Sequence, residues 1–370
     1  MNQINFFGKD RYFQAYSEDI MDIVRKVYSH GKVVMGPEVE EFEKKVAGFC
    51  SRKYGIAVGS CTDALHLSLI AAGVKKDDEV LVTGLSFIAS TTCIVRLGAV
   101  PVFVDVNPET YMMDLEDLEN KITPKTKAIV AVDLFGDALN IEAVETIGKR
   151  HNIPIIEDAA QSIGSRYDER KVGSMGLCSC ISFDPTKILA AQSNGGAVLT
   201  DDEDVYRKIS KMRYHGKNMK TGEFEMLGFN TRLSSLQAAL LSYNLNRLES
   251  WIDRHREIAK MYMDGLADVP QLKMPLDKPN TRHVYHKFVM KAENRDGLKK
   301  WLSDNNVQTM VHYENALHEN KLFGQYNYRA ERLKGIEQIK DVVLSLPVHP
   351  WLKDEEVKYI VDKVREFYNK

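Results

Sequence analysis

The sequence holds no Cys-x-x-Cys pair, and its five cysteines (Cys50, Cys61, Cys93, Cys178 and Cys180) are an odd number. That pattern argues against both a zinc site and a disulfide framework, and points to reduced thiols in a cytoplasmic protein. Basic runs and tails are missing too. With 50 Lys and Arg against 52 Asp and Glu, the net charge is −2, which lacks the positive footprint of a nucleic-acid binder. The most apolar stretch, residues 84–106, is interrupted by Arg96 and Asp105 and is too broken to span a bilayer. The first ten residues lack the apolar core of a signal peptide. Gly-x-Gly-x-x-Gly is absent, which disfavours a dinucleotide site. No repeat or low-complexity segment is visible. What remains is a length of 370 residues, suited to one large domain plus a smaller one.

Short apolar runs predict strands at 54–58, 79–83, 100–106, 128–133 and 153–156, with two more flanking Lys187, one starting at Cys180 and one at 197–199. Helical spacing predicts helices at 17–28, 38–50, 65–72, 87–95, 115–121, 141–151 and 204–214. Strands alternating with helices predict an α/β fold with a mostly parallel sheet and helices on both faces. The stretch 236–248, continuing towards 259, is apolar on more than one face. It bridges two domains, lines a subunit contact, or is a core helix. Pro270, Pro275 and Pro279 then mark irregular chain. Strands at 284–290, 307–311 and 342–346, with helices at 295–305 and 354–368, predict a smaller α+β domain. The expected division is 1–250 for the large domain and 251–370 for the small one, with residues 1–30 packing on the latter.

Three strand-end features carry chemistry. Lys187 lies on a turn between two buried strands, with Pro185 before it and Gly195-Gly196 after it. A lysine there is partly desolvated, which lowers its pKa and makes its amine a nucleophile; the plain alternative is a solvated loop lysine. Glu157 and Asp158 follow the apolar run 153–156. A carboxylate at the end of a buried strand needs a cationic partner, either a protonated ring nitrogen or a structural arginine. The turn Val58-Gly59-Ser60-Cys61-Thr62-Asp63-Ala64 opens a helix whose free N–H groups can hold a phosphate, with hydroxyls from Ser60 and Thr62. Otherwise it is a plain N-cap by Thr62 or Asp63. Phe87, at another strand end, either stacks on a flat ring or belongs to the core. Pyridoxal 5′-phosphate (PLP) requires a lysine for its aldehyde, a carboxylate for its ring nitrogen and a helix start for its phosphate.

Glu157-Asp158-Ala159-Ala160-Gln161, Ser182-Phe183-Asp184-Pro185-Thr186-Lys187 with Gly195-Gly196, and Gly228-Phe229-Asn230-Thr231-Arg232 resemble the sugar-nucleotide aminotransferases of the DegT/StrS type. The resemblance runs from Gly36-Pro37 through His318. It implies a fold type I PLP-dependent aminotransferase and a homodimer with active sites at the subunit boundary. By the same resemblance Lys187 forms the Schiff base and Asp158 partners the pyridinium. Gln161 lies near the ring hydroxyl, and Thr62, Asp63 and Ser182 surround the phosphate. Phe87 stacks on the ring, and Asn230 reaches the phosphate of the other subunit's cofactor. Arg232, His215, Tyr313 and His318 lie in segments that border the sugar-nucleotide site.

The implied reaction moves an amino group from an amino acid, glutamate by resemblance, to a nucleotide-linked (dTDP or UDP) keto-deoxy sugar in amino-sugar biosynthesis. Lysine at 187, where dehydrating relatives have histidine, argues for transamination. Three departures from the family pattern bear on sugar preference: Asp133-Leu134-Phe135-Gly136, where a histidine is common, Gln192-Ser193-Asn194-Gly195, where another small or acidic pattern is usual, and Asp63, where alanine is common. The rival readings are a sugar-nucleotide dehydratase, a PLP-binding regulator without catalysis, and a nucleotide-binding α/β protein without PLP.

Overall fold

The computed structural model describes residues 2–276 and 278–369; Met1, Asp277 and Lys370 of the expected domains lie outside the described residues. Helices α1 (Lys9–Ser29) and α2 (Pro37–Phe49) precede strand β1 (Tyr54–Val58). There follow α3 (Cys61–Ala71), β2 (Glu79–Thr83), α4 (Ala89–Val95), β3 (Val100–Val104), α5 (Leu115–Asn120), β4 (Thr126–Val132), α6 (Ile141–His151) and β5 (Ile155–Asp158). A two-residue hairpin, β6 (Arg166–Tyr167) and β7 (Arg170–Lys171), leads to β8 (Cys178–Ser182) and β9 (Gly196–Thr200). Then come α7 (Glu203–Met212), α8 (Ser235–Leu245) and α9 (Leu248–Leu266). The chain continues through β10 (Leu272–Lys273), β11 (Thr281–Arg282), β12 (Phe288–Ala292), α10 (Arg295–Asp304), α11 (Lys334–Glu337), β13 (Val343–Leu346) and α12 (Asp354–Tyr368).

Seven strands form the main sheet in the order β1-β9-β8-β5-β4-β2-β3. All neighbours from β8 to β3 are parallel, while β9 runs antiparallel to both β8 and β1. Strands β2, β5, β8 and β9 are buried along their whole length, as expected when helices cover both faces. One core cluster joins the sheet to α3, α4 and α6, and another joins it to α2 and α8 through Phe42, Phe183 and Leu241. The directions bring the C-terminal ends of β1, β2, β4, β5 and β8 to one edge. Open α/β sheets bind ligands along that edge.

A second sheet, β10-β12-β13, is antiparallel and shares a core with α9, α10 and α12. The first residues join it. Ile4 forms a parallel bridge to Val307, and Arg11 binds both carboxylate oxygens of Glu356 at 2.6 Å. Tyr12 then turns to the main body, its hydroxyl donating to Asn244 Oδ1 at 2.9 Å.

The elements depart from the predicted ones in instructive places. Helix α1 starts at Lys9 rather than 17 and leaves helical geometry at Tyr16 (φ −131°, ψ 17°). The strand expected at 153–156 lies at Ile155–Asp158, although α6 ends at His151 as expected, with Asn152 in the left-handed region (φ 54°) after it. Both acids are thereby inside the strand. The long apolar helix breaks at Arg247 (φ −110°, ψ −5°) into α8 and α9. Tyr285, at φ 50°, excludes an extended ladder there, so the strand expected from 284 begins at Phe288. The stretch 307–311 forms only isolated bridges, to Ile4 and to Ser345.

Candidate active site

A cavity of about 710 Å³ opens along the C-terminal edge of the main sheet. Ser60, Thr62, Phe87, Asp158, Gln161, Ser182, Lys187 and Tyr313 all line it. They come from the ends of β1, β2, β5 and β8, the β8–β9 loop, and one loop that precedes β13.

Helix α3 begins where β1 ends. Ser60, not Thr62 or Asp63, is its N-cap: the Ser60 hydroxyl accepts the Asp63 N–H at 3.1 Å. First-turn N–H groups have no acceptor within their own helix, and Cys61 and Thr62, which carry two of them, line the cavity. Strand β9 passes close behind. A Cβ on Gly196 would stand 2.4 Å from Ser60 C and 2.5 Å from Cys61 N, so only glycine lets strand and helix start approach this far.

Asp158 ends β5 with 3% of its surface exposed. Burial pushes its carboxyl above the usual carboxylate range; hydrogen bonds and the nearby Lys187 charge work against that push. Ser90 Oγ donates to Asp158 Oδ2 at 2.7 Å, and Ala160 N donates to Oδ1 at 3.2 Å. Ser90 has a single proton, which goes to Asp158. The Ser86 hydroxyl, 2.9 Å from Ser90 Oγ, is therefore the donor in that pair.

Lys187 follows a tight turn in which Asp184 Oδ1 accepts from Thr186 N at 2.8 Å and Oγ1 at 2.6 Å. Burial lowers the Lys187 amine's pKa, while the Cys61 thiol, Asp158 and Asp184 work the other way. Burial also opposes the Asp184 charge, yet the Thr186 hydrogen bonds and Lys187 hold its carboxyl below the usual range. Gln161 Oε1 accepts from Phe135 N at 3.2 Å, and its Nε2 donates to the Tyr313 hydroxyl at 3.1 Å. That amide joins the main sheet to the loop from the smaller one. Phe87 is 58% exposed and lines the cavity, so it is not a core residue.

Five expected residues stand apart from this cavity. Asp63 turns away: its Oδ2 accepts from Ser60 Oγ at 2.9 Å and from Thr231 Oγ1 at 2.7 Å. Its carboxylate is thereby engaged at the helix start. Asn230, Arg232 and His215 group at the surface. Arg232 donates to Asn230 Oδ1 at 2.7 Å and lies 4.2 Å from the Tyr214 ring centroid; Tyr214 is beside His215. His318 packs near Phe103, with ring centroids 5.9 Å apart. Conversely, Ser86, Ser90, Asp184, His286, Lys287 and His312 line the cavity without having been singled out. Ser90 lies one helical turn after Phe87, which was the available signal. His286 and Lys287 fell inside a stretch read as an alternating strand.

Beneath the site, Asp133 is wholly buried. Burial, then the Glu157 charge, pushes its carboxyl well up. Leu139 N donates to its Oδ1 at 2.8 Å, but Oδ2 receives no donor. A proton on Asp133 shared with Glu157 satisfies both. Glu157 meanwhile accepts from Gly173 N and Met175 N, both at 3.0 Å. The five cysteines are buried and outside any disulfide, and no helix among the described residues is long and apolar enough to cross a membrane.

Residues 14–365 match the profile of the DegT/DnrJ/EryC1/StrS aminotransferase family. The dTDP-3-amino-3,6-dideoxy-α-D-galactopyranose transaminase of Aneurinibacillus thermoaerophilus is 36% identical over 95% of this chain and 96% of its own. The UDP-2-acetamido-2-deoxy-3-oxo-D-glucuronate aminotransferase of Pseudomonas aeruginosa is 35% identical over 94% and 96%. Among solved structures, DesV of S. venezuelae, in complex with a ketimine intermediate, superposes with a TM-score of 0.96 at 32% identity, covering all of both chains. NtdA of Bacillus subtilis, with bound cofactor PMP, gives 0.93 at 30% identity, covering all of this chain and 86% of the other.

Proposed function

Because the chain belongs to the DegT/DnrJ/EryC1/StrS aminotransferase family, we propose that it transfers the amino group of L-glutamate to a keto-deoxy sugar linked to dTDP or UDP, using PLP. The observation that carries this reading is the pairing, in one cavity, of a partly desolvated lysine with a buried carboxylate that forms no ion pair among the described residues. The residues present fit PLP on that ground. A protonated ring nitrogen supplies the counter-charge that Asp158 lacks, and the first turn of α3 with Ser60, Thr62 and Ser182 suits a phosphate. When bound, PLP supplies a carbonyl that condenses with amines and a ring that takes up the electron pair left by proton removal.

The chain's own residues do the rest. Lys187 anchors the cofactor through its amine. When its amine is free, Lys187 Nζ would take the proton from the donor's α-carbon, a task helped by the lowered pKa. Asp158, steadied by Ser90, keeps the proton on the ring nitrogen. Phe87 covers a ring face, and Gln161, gripped by Phe135 N and Tyr313, holds the ring hydroxyl. Asp63 acts indirectly, tying Ser60 to Thr231. The exposed group of Asn230, Arg232 and His215 is placed to serve the neighbouring site of a homodimer, with Asn230 on the partner's cofactor phosphate. His318 borders the sugar-nucleotide approach. Residues 1–250 and 251–370 act as a large and a small domain of a cytoplasmic enzyme, with the first residues held by the small one.

Replacing Lys187 by alanine tests the core of this reading. The variant should lose the visible absorbance of the loaded protein and all turnover with glutamate and a keto-sugar nucleotide. Retention of both would remove it.

A further inference from the structure

The cavity holds a second lysine. Lys287 sits between Tyr285, at φ 50°, and the body of β12, and its N–H donates to Phe135 O at 3.0 Å. Only 5% of the residue is exposed. Its amine lies 4.4 Å from the Phe7 ring centroid and 5.0 Å from that of Phe6. Among the described residues no carboxylate comes within ion-pair distance of it, although Lys287 and Phe7 both line the cavity that Lys187 lines.

Burial, then the Lys187 charge, lowers the Lys287 amine's pKa well below its usual value, with Asp184 opposing: holding an ammonium here without an anion is costly, and two aromatic faces offset only part of that cost. Leucine or methionine would pack on Phe6 and Phe7 with no such penalty. The arrangement makes physical sense if an anion arrives from outside. Four cavity residues can carry positive charge: Lys187, Lys287, His286 and His312. Burial holds both histidines neutral, His312 pushed down to about 3 and His286 also lowered. Lys187 is committed to the cofactor, and the phosphate end is served by the start of α3. Every α-amino acid donor brings a carboxylate that has to be matched in this closed space.

We infer that Lys287 is the specificity-determining residue that receives the carboxylate of the amino-acid donor, held out of solvent by Phe6 and Phe7 until the donor enters. This rests on the transaminase reading above. Once the donor binds, a charge-assisted hydrogen bond replaces the aromatic contacts as the main partner of the ammonium.

The test uses the cofactor-loaded protein and glutarate, a dicarboxylate that has no amino group and cannot react. Lys287→Met should weaken glutarate binding by roughly 10- to 100-fold in calorimetry, the range expected for losing a hydrogen bond to a charged group. It should raise KM for L-glutamate to a similar degree and leave kcat, the cofactor absorbance and KM for the sugar nucleotide near the wild-type values. Lys287→Arg should recover part of the binding. The methionine variant should melt no lower than wild type, since it removes a buried charge rather than a contact. Unchanged glutarate affinity would overturn the proposal. So would a defect confined to nucleotide-linked uronic acids, or loss of the cofactor absorbance. A wild-type protein that takes up no cofactor would instead sink the transaminase reading, and this proposal with it.

Discussion

Removing the Ser90 hydroxyl should weaken the site at its least visible joint. Ser90 Oγ donates to Asp158 Oδ2 at 2.7 Å in a wholly buried setting. A hydrogen bond to a charged partner contributes about 1.5–3 kcal/mol. Ser90→Ala should therefore loosen PLP by roughly 10- to 100-fold and slow turnover, because the carboxylate that holds the ring proton becomes harder to ionise. The effect also carries a pH signature. Burial raises Asp158 above its unfolded value, so in the cofactor-free protein its ionisation removes stability as pH rises from about 4. The serine proton counters that loss only when the carboxylate is charged. The stability deficit of Ser90→Ala in the cofactor-free protein should thus be small near about pH 5 and larger near about pH 8. Ser90→Thr, which keeps the hydroxyl, should behave like wild type. Ser86→Ala, one bond further out, should give a weaker version. Thermal melts at the two pH values and a PLP titration make the comparison. A deficit that is equal at both pH values, or PLP affinity equal to wild type, would refute the reasoning.

Two other outcomes follow from the geometry. Gly196→Ala places a Cβ 2.4 Å from Ser60 C; backbone must shift at the start of α3, costing about 1–3 kcal/mol, and PLP affinity should fall more than thermal stability does, by titration against melting. Asp133→Asn keeps a donor for Glu157. Because burial raises the Asp133 carboxyl, wild type loses stability as pH climbs above about 4, and the asparagine variant should gain on it progressively in melts across that range; a variant-to-wild-type difference that stays constant with pH would remove the shared proton.

How much could be read beforehand depended on how local each feature was. Lys187, Asp158 and the turn at 59–64 announce themselves by sitting at the ends of apolar runs, and the sheet brings those ends to one edge. Phe87 and Ser182 reach the same cavity for the same reason. Ser90 escaped notice because its partner is 68 positions away, and the bond depends on how α4 is rotated. Lys287 escaped because alternation suggested a strand where Tyr285 takes a positive φ. The tie between Asp63 and Thr231 was hidden because the Thr231 hydroxyl that donates to the Asp63 carboxylate lies 168 positions on. The early start of α1 was hidden because Tyr12 in its first turns gains its packing from Trp251 and Trp351, far along the chain.

The pairing of Ile4 with Val307 and the reach of Tyr313 back to Gln161 set a schedule for the growing polypeptide. The segment at Ile4 must wait for one made some three hundred positions later, and the pocket around Lys187 stays roofless until that later segment is translated. Closing contacts between such distant partners is slow, so the pocket is completed late, whatever order the central strands adopt before then.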